Sequence, residues 1–141
     1  MINNKINVSR FDGIIPCSSS PDRSIPGGPL YPRDEVLLLS QANKIELWSV
    51  GSIRDAEKWE LDQDSIAGLI TSAMQAGAFK SSEWCLQGSF GPWAACDVYI
   101  VTRFEWYQYA YKDIATEYYL KFAISKTGRM LLTVSNHPGG A

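Results

Sequence analysis

The chain carries one histidine, His137, near the end of its 141 residues. Imidazole exchanges a proton near neutral pH, so a histidine on a folded surface can serve as general acid or base. Tyr119 and Lys121 lie on the apolar segment that precedes it. A phenol can move a proton, and an ammonium can hold a phosphate or stabilise developing negative charge. Metal-free cleavage of RNA needs such a set. A base takes the 2′-hydroxyl proton, a cation steadies the phosphorane-like charge, and an acid protonates the leaving 5′-oxygen. Many sheets present Tyr and Lys to water, so the element that carries these residues decides whether they meet.

That element reads as a β-hairpin. Residues 118–125 alternate, with Tyr118, Leu120, Phe122 and Ile124 on one side and Tyr119, Lys121, Ala123 and Ser125 on the other. In residues 130–137, Met130, Leu132 and Val134 share a side opposed by Leu131, Thr133, Ser135 and His137. Thr127-Gly128-Arg129 fits a three-residue loop in which Gly128 supplies a positive φ. Joining the two apolar sets fixes the register parity, because a one-residue slip would mix the faces. Tyr119 then faces His137 and Lys121 faces Ser135, within side-chain reach.

The rest of the chain must support this hairpin. Residues 1–33 hold Pro16, Pro21, Pro26, Pro29 and Pro32 around Gly27-Gly28. They read as an irregular arm, packed on the body through Phe11, Ile14, Ile15 and Tyr31. Residues 34–138 read as one domain. Asp34 is a candidate N-cap for a helix whose apolar stripe runs from Val36, Leu37, Leu38 and Leu39 to Ala42 and Ile45. A strand over residues 35–40 competes with it. Ser49 or Ser52 caps a short helix over residues 53–59. Asp62 caps the clearest helix, in which Ile66, Leu69, Ile70, Ala73 and Met74 recur at helical spacing before Gly77. From Asp97 the period turns to two, a strand signal. Residues 106–115 are aromatic and undecided between states. Helices first and strands after give an α+β fold, with N-terminal helices packed on a small antiparallel β-sheet that ends in the C-terminal hairpin.

Composition removes several classes. No apolar run approaches the roughly 20 residues of a membrane helix. Residues 1–5 have no apolar core behind them of the kind a secretory signal needs, so the expected compartment is the cytoplasm. Cys17, Cys85 and Cys96 are odd in number, lack a Cys-x-x-Cys, and read as buried free thiols. With one histidine, neither a metal nor a cofactor is implied. The net charge is −2, from 13 basic and 15 acidic residues. That argues against a general nucleic-acid binder and leaves room for a small basic cleft.

Four short words occur in order: Phe79-Lys80-Ser81; Trp93 followed by Asp97-Val98-Tyr99; Tyr119-Leu120-Lys121-Phe122; and Ser135-Asn136-His137. On these words, residues 38–137 resemble the MqsR-type messenger-RNA interferases, toxins of bacterial toxin–antitoxin pairs. That family belongs to the wider RelE/barnase/colicin-nuclease (BECR) group of metal-independent ribonucleases. The resemblance implies an endoribonuclease that cleaves single-stranded RNA through a 2′,3′-cyclic phosphate and is neutralised by a cognate antitoxin or immunity protein. It implies that Lys80, Tyr119 and His137 occupy functional positions, with Lys121 close by. Cys96 stands where the family can carry a polar catalytic residue, and the loop over residues 103–116 is longer than the family's.

Arg103, Arg129, Ser135 and Tyr99 are the candidate substrate-binding residues. Each has a plainer reading: Tyr99 as a core or rim aromatic, the two arginines as solvated charges. Tyr107, Tyr109 and Tyr111 alternate and are candidates for stacking on bases. A different class of function also fits. An acidic immunity protein or antitoxin would carry a negative balance and use it to mask a basic nuclease cleft, with no chemistry of its own.

Overall fold

The computed structural model describes residues 5–17, 21–107 and 111–139, the side chains of residues 106 and 107 excepted. Helix α1 (Arg33–Gln41), strand β1 (Ile45–Leu47) and helices α2 (Val50–Lys58) and α3 (Gln63–Ala76) come first. Strands β2 (Ala78–Leu86), β3 (Trp93–Tyr107), β4 (Lys112–Ile124) and β5 (Leu131–Pro138) follow. The class is α+β. The strands form one five-stranded sheet in the order β1-β5-β4-β3-β2.

The sheet is mixed rather than wholly antiparallel. β2, β3, β4 and β5 pair antiparallel with their neighbours, whereas β1 runs parallel to β5, with Ile45 opposite Leu131. The expected helix through Ile45 therefore stops early. α1 ends at Gln41, and Asn43, at a φ of 55°, turns the chain in the left-handed region. Asn tolerates that region better than most residues, and Ile45 is then free to join the sheet.

The helices form where polar caps meet apolar stripes. The Asp62 carboxylate accepts from the Ser65 N–H at 2.8 Å at the start of α3. Ile66, Leu69, Ile70 and Ala73 are then at most 1% exposed, each of the larger three worth roughly 2 kcal/mol of burial. Ser49, rather than Ser52, caps α2, its hydroxyl accepting from the Ser52 N–H at 2.9 Å. α1 begins one residue before Asp34. Pro32 occupies its N-cap position without a side-chain cap, and Asp34 sits in the first turn, where the helix dipole favours a carboxylate.

β3 and β4 are longer than the sheet needs. β2 pairs with β3 only over residues 93–100, and β5 pairs with β4 only over residues 118–124. Residues 102–107 and 112–117 pair with each other beyond the ends of the β2 and β5 ladders, so a two-stranded finger extends past the sheet where a loop over residues 103–116 is expected.

The arm is tied down at three places. Trp93 donates to the Ile6 carbonyl and Arg10 to the Ile124 carbonyl, both at 2.8 Å. Ile25 donates to Ser82 and Trp84 to Arg23, both at 2.9 Å, which covers the outer edge of β2. The Asp97 carboxylate then accepts from the Leu30 and Tyr31 N–H groups and the Ser82 hydroxyl. Tyr31, Phe11 and Ile15 pack inward as expected. Ile14 does not, being 93% exposed. Cys17 is also exposed, unlike Cys85 and Cys96, which are buried.

Candidate active site

Pairing across β4 and β5 places Tyr119 opposite His137 and Lys121 opposite Ser135. Gly128 takes a φ of 76° in the turn. Tyr119 and His137 stack, with ring centroids 5.4 Å apart and planes 9° from parallel. The Lys121 ammonium lies 6.0 Å from the centroid of the Tyr119 ring. Tyr119, Lys121, Ser135 and His137 therefore share one face of the sheet. Below them the expected alternation fails. A bulge between the Lys121 and Phe122 pairs lets Phe122 meet Thr133 and Ile124 meet Leu131. One extra residue on β5 flips the parity. Leu131 and Thr133, not Leu132 and Val134, thus continue the face of Leu120 and Phe122.

Lys121 is the most constrained cation of this face. Its ammonium pairs with Glu83 of β2 at 3.4 Å. Burial pulls its pKa down, and the electrostatic influence of Cys85, Glu83, Tyr119 and Cys96 together pushes it up by more, so it titrates above its ordinary value. It is a fixed positive charge at neutral pH and cannot serve as a base there. Cys96, beneath it, is fully buried. Burial, followed by its neighbour Cys85, raises the Cys96 thiol well above the ordinary range. It stays protonated and is no nucleophile.

The other expected residues divide. Lys80 is exposed and takes the extra position of a second bulge, between Phe79 and Ser81 on β2. Two strand spacings put it about 10 Å from the backbone of Lys121, and three put it about 14 Å from that of His137. It does not touch the Tyr119–His137 pair. Ser135 belongs to the face. Tyr99 and Arg103 do not. Tyr99 pairs with Leu120 on the opposite side, is 1% exposed and stacks on Phe122 at 5.7 Å. Arg33 sits over its ring and donates to the Ala73, Met74 and Gly77 carbonyls, so this is the side that meets α3. Arg103 alternates with Tyr99 and pairs with Glu105 at 3.3 Å above the Tyr118 ring. Both are therefore removed from the substrate-binding set, because strand alternation turns them away. Arg129 lies in the turn, eight residues from His137 along β5, about 25 Å away. Tyr109 and the side chain of Tyr107 fall outside the described residues; Tyr111 is exposed.

Two residues join the site that the sequence reading missed. Glu83 arrives through the pairing of β2 with β3, which no local pattern announces. Phe104 comes from the finger. Ile100 pairs with Tyr119, and Thr102 and Phe104 continue its side of β3. Phe104 thus stands on the His137 side, about 13 Å further along the strand, and is 72% exposed. The face combines a stacked tyrosine–histidine pair, a fixed cation with its carboxylate, and an outlying exposed aromatic ring. Comparison with known protein families, with curated proteins and with solved structures finds no match to the chain. No helix among the described residues is long and apolar enough to cross a membrane.

Proposed function

We propose that the protein is a metal-independent endoribonuclease of the toxin type, similar to the MqsR-like interferases and acting on single-stranded RNA in the cytoplasm. The observation that supports this most is the stacked Tyr119–His137 pair beside the Lys121 ammonium. His137, in its neutral form, takes the 2′-hydroxyl proton, and the freed oxygen attacks the adjacent phosphorus. The bond to the 5′-oxygen breaks, leaving a 2′,3′-cyclic phosphate. The leaving oxygen receives a proton from Tyr119 or from the imidazolium. Lys121 stabilises the phosphorane-like charge, which requires it to share its ammonium between Glu83 and the phosphate. Lys80 holds a flanking phosphate, and Ser135 donates at the rim. A cognate antitoxin or immunity protein would keep the activity silent.

A second reading has one observation in its favour. Glu83 already neutralises Lys121, and a non-enzymatic acidic immunity protein would keep that pairing intact. Expression in a bacterial host separates the two. The ribonuclease reading expects growth arrest that His137→Ala relieves while the protein accumulates undiminished. Harmless expression of folded wild-type protein, or arrest that persists in His137→Ala, contradicts it.

A further inference from the structure

At the turn end of the β4–β5 hairpin a groove of about 610 Å³ opens between the end of α1 and the hairpin loop. Leu38, Leu39, Ala42 and Met130 give it an apolar lining, and Lys44 and Arg129 give it charge. Leu38 is 68% exposed, although the same helix buries Val36 and Ser40. Among the described residues neither Lys44 nor Arg129 has an ion-pair partner. No acidic side chain lines the groove. Glu35, one turn back on α1, is already paired with Arg10. The C-terminus of α1 adds about half a negative charge, which two formal positive charges exceed. On a chain of net charge −2 this is a local reversal of sign around a greasy floor.

The lining selects among occupants. Thr127, its one hydroxyl, shares a hydrogen bond of 3.2 Å with Ser125, and both cations ride on flexible stems. The Arg129 guanidinium is one planar fork, but it rides on a flexible stem, so nothing here is pre-organised around a small anion. RNA would satisfy the cations and leave Leu38 and Met130 uncovered. A polypeptide with apolar anchors flanked by carboxylates satisfies both parts, the pattern of an amphipathic segment laid in a groove.

We infer that this groove docks an acidic, leucine-bearing segment of a partner protein, its apolar side chains on Leu38, Leu39 and Met130 and its carboxylates on Lys44 and Arg129. The inference does not depend on the ribonuclease reading, because the groove lies at the far end of the hairpin. The test selects a displayed random-peptide library on the full chain. Enriched peptides are then synthesised with a fluorophore and titrated against wild type, Leu38→Asp, and the double variant Lys44→Glu/Arg129→Glu. The expected peptides combine Asp or Glu with Leu, Ile or Phe. Their affinity falls about tenfold or more in each variant and weakens with added salt, while the thermal midpoint stays at the wild-type value. No enrichment, enriched peptides without acidic residues, or affinities that survive both variants would overturn it. So would competition by a single-stranded RNA oligonucleotide, or self-association of the wild type that the double variant abolishes.

Discussion

The two ends of the β4–β5 hairpin use charge in opposite ways. At the His137 end the cation is committed: Lys121 is paired with Glu83 and lies near the ring of Tyr119, which stacks on His137. At the turn end Lys44 and Arg129 stand, among the described residues, without acidic partners around exposed Leu38. Pre-positioned, mutually oriented groups suit chemistry, because a reacting phosphate then needs little reorganisation of the protein. Unpaired cations beside apolar surface suit recognition, because their neutralisation is left to an incoming partner. One hairpin therefore carries two regions whose functions should be separable by mutation.

The largest effect expected at the proposed catalytic end comes from His137→Ala. Loss of a general acid–base group lowers the cleavage rate about 10²- to 10⁴-fold, while peptide binding at the groove is untouched. Initial rates on a labelled RNA, read beside groove titrations, check both halves. A substitution that damages both ends should act through stability. Asp97→Ala leaves the Leu30, Tyr31 and Ser82 donors without their acceptor. It should cost about 3 kcal/mol or more and lower the thermal midpoint by roughly 10 °C, as calorimetry would show.

The same carboxyl carries a pH signature. Burial raises its pKa above the ordinary 3.8, against the hydrogen bonds from Ser82, Leu30 and Tyr31 that lower it. The folded state then holds the proton to higher pH than the unfolded chain. Its contribution is full below pH 3.8 and is lost as pH rises through the folded value. The stability difference between wild type and Asp97→Asn should therefore shrink as urea midpoints are followed upward from that pH. A difference that widens would show the three hydrogen bonds outweighing burial.

Smaller changes sharpen the contrast within the catalytic end. Lys121→Met should slow cleavage about 10²-fold by removing charge stabilisation. Single-turnover kinetics would show the loss in the chemical step rather than in binding. Phe104→Ala should do the reverse. Loss of one stacking platform weakens RNA binding about tenfold, with little change in the single-turnover rate or in melting, since the ring is 72% exposed. A melting shift of several degrees would mark Phe104 as a structural residue instead.

Much of this was legible in the sequence because it is local. Alternation over residues 118–125 suffices to put Tyr119 and Lys121 on one face. The expected three-residue loop gives the wrong register beside the turn, where Ile124 meets Leu131 rather than Leu132; Tyr119 meets His137 because the extra β5 residue makes up the difference. A cap and a stripe suffice for α3. What was not legible depends on partners distant in the chain. Residues 78–86 carry too many polar side chains to announce a strand, yet Ser82 is buried because it donates to Asp97, and the arm closes the strand's edge. Glu83 reaches Lys121 only through two strand registers. Ile45 fits the stripe of α1, and only the turn at Asn43 and pairing with β5 make it a strand. Strand alternation alone does not say which side of β3 is covered: Tyr99 lies under Arg33 on the α3 side, and Arg103, on the same side of the strand, is held by Glu105 over the Tyr118 ring. The extra β5 residue near Val134 leaves no mark on the alternation, since Leu131 and Leu132 put an apolar residue on each side of the strand next to the turn.

Metal-free RNA cleavage by Tyr119, His137 and Lys121 is the proposal on which the other effects at the His137 end depend. Its most direct test incubates a short single-stranded RNA with purified wild type and with His137→Ala in excess EDTA, and identifies the product ends by phosphorus NMR. The wild type is expected to give 2′,3′-cyclic phosphate and free 5′-hydroxyl ends, and the variant none above background. Equal cleavage by the two proteins, 5′-phosphate ends, or no cleavage by folded wild type would contradict it.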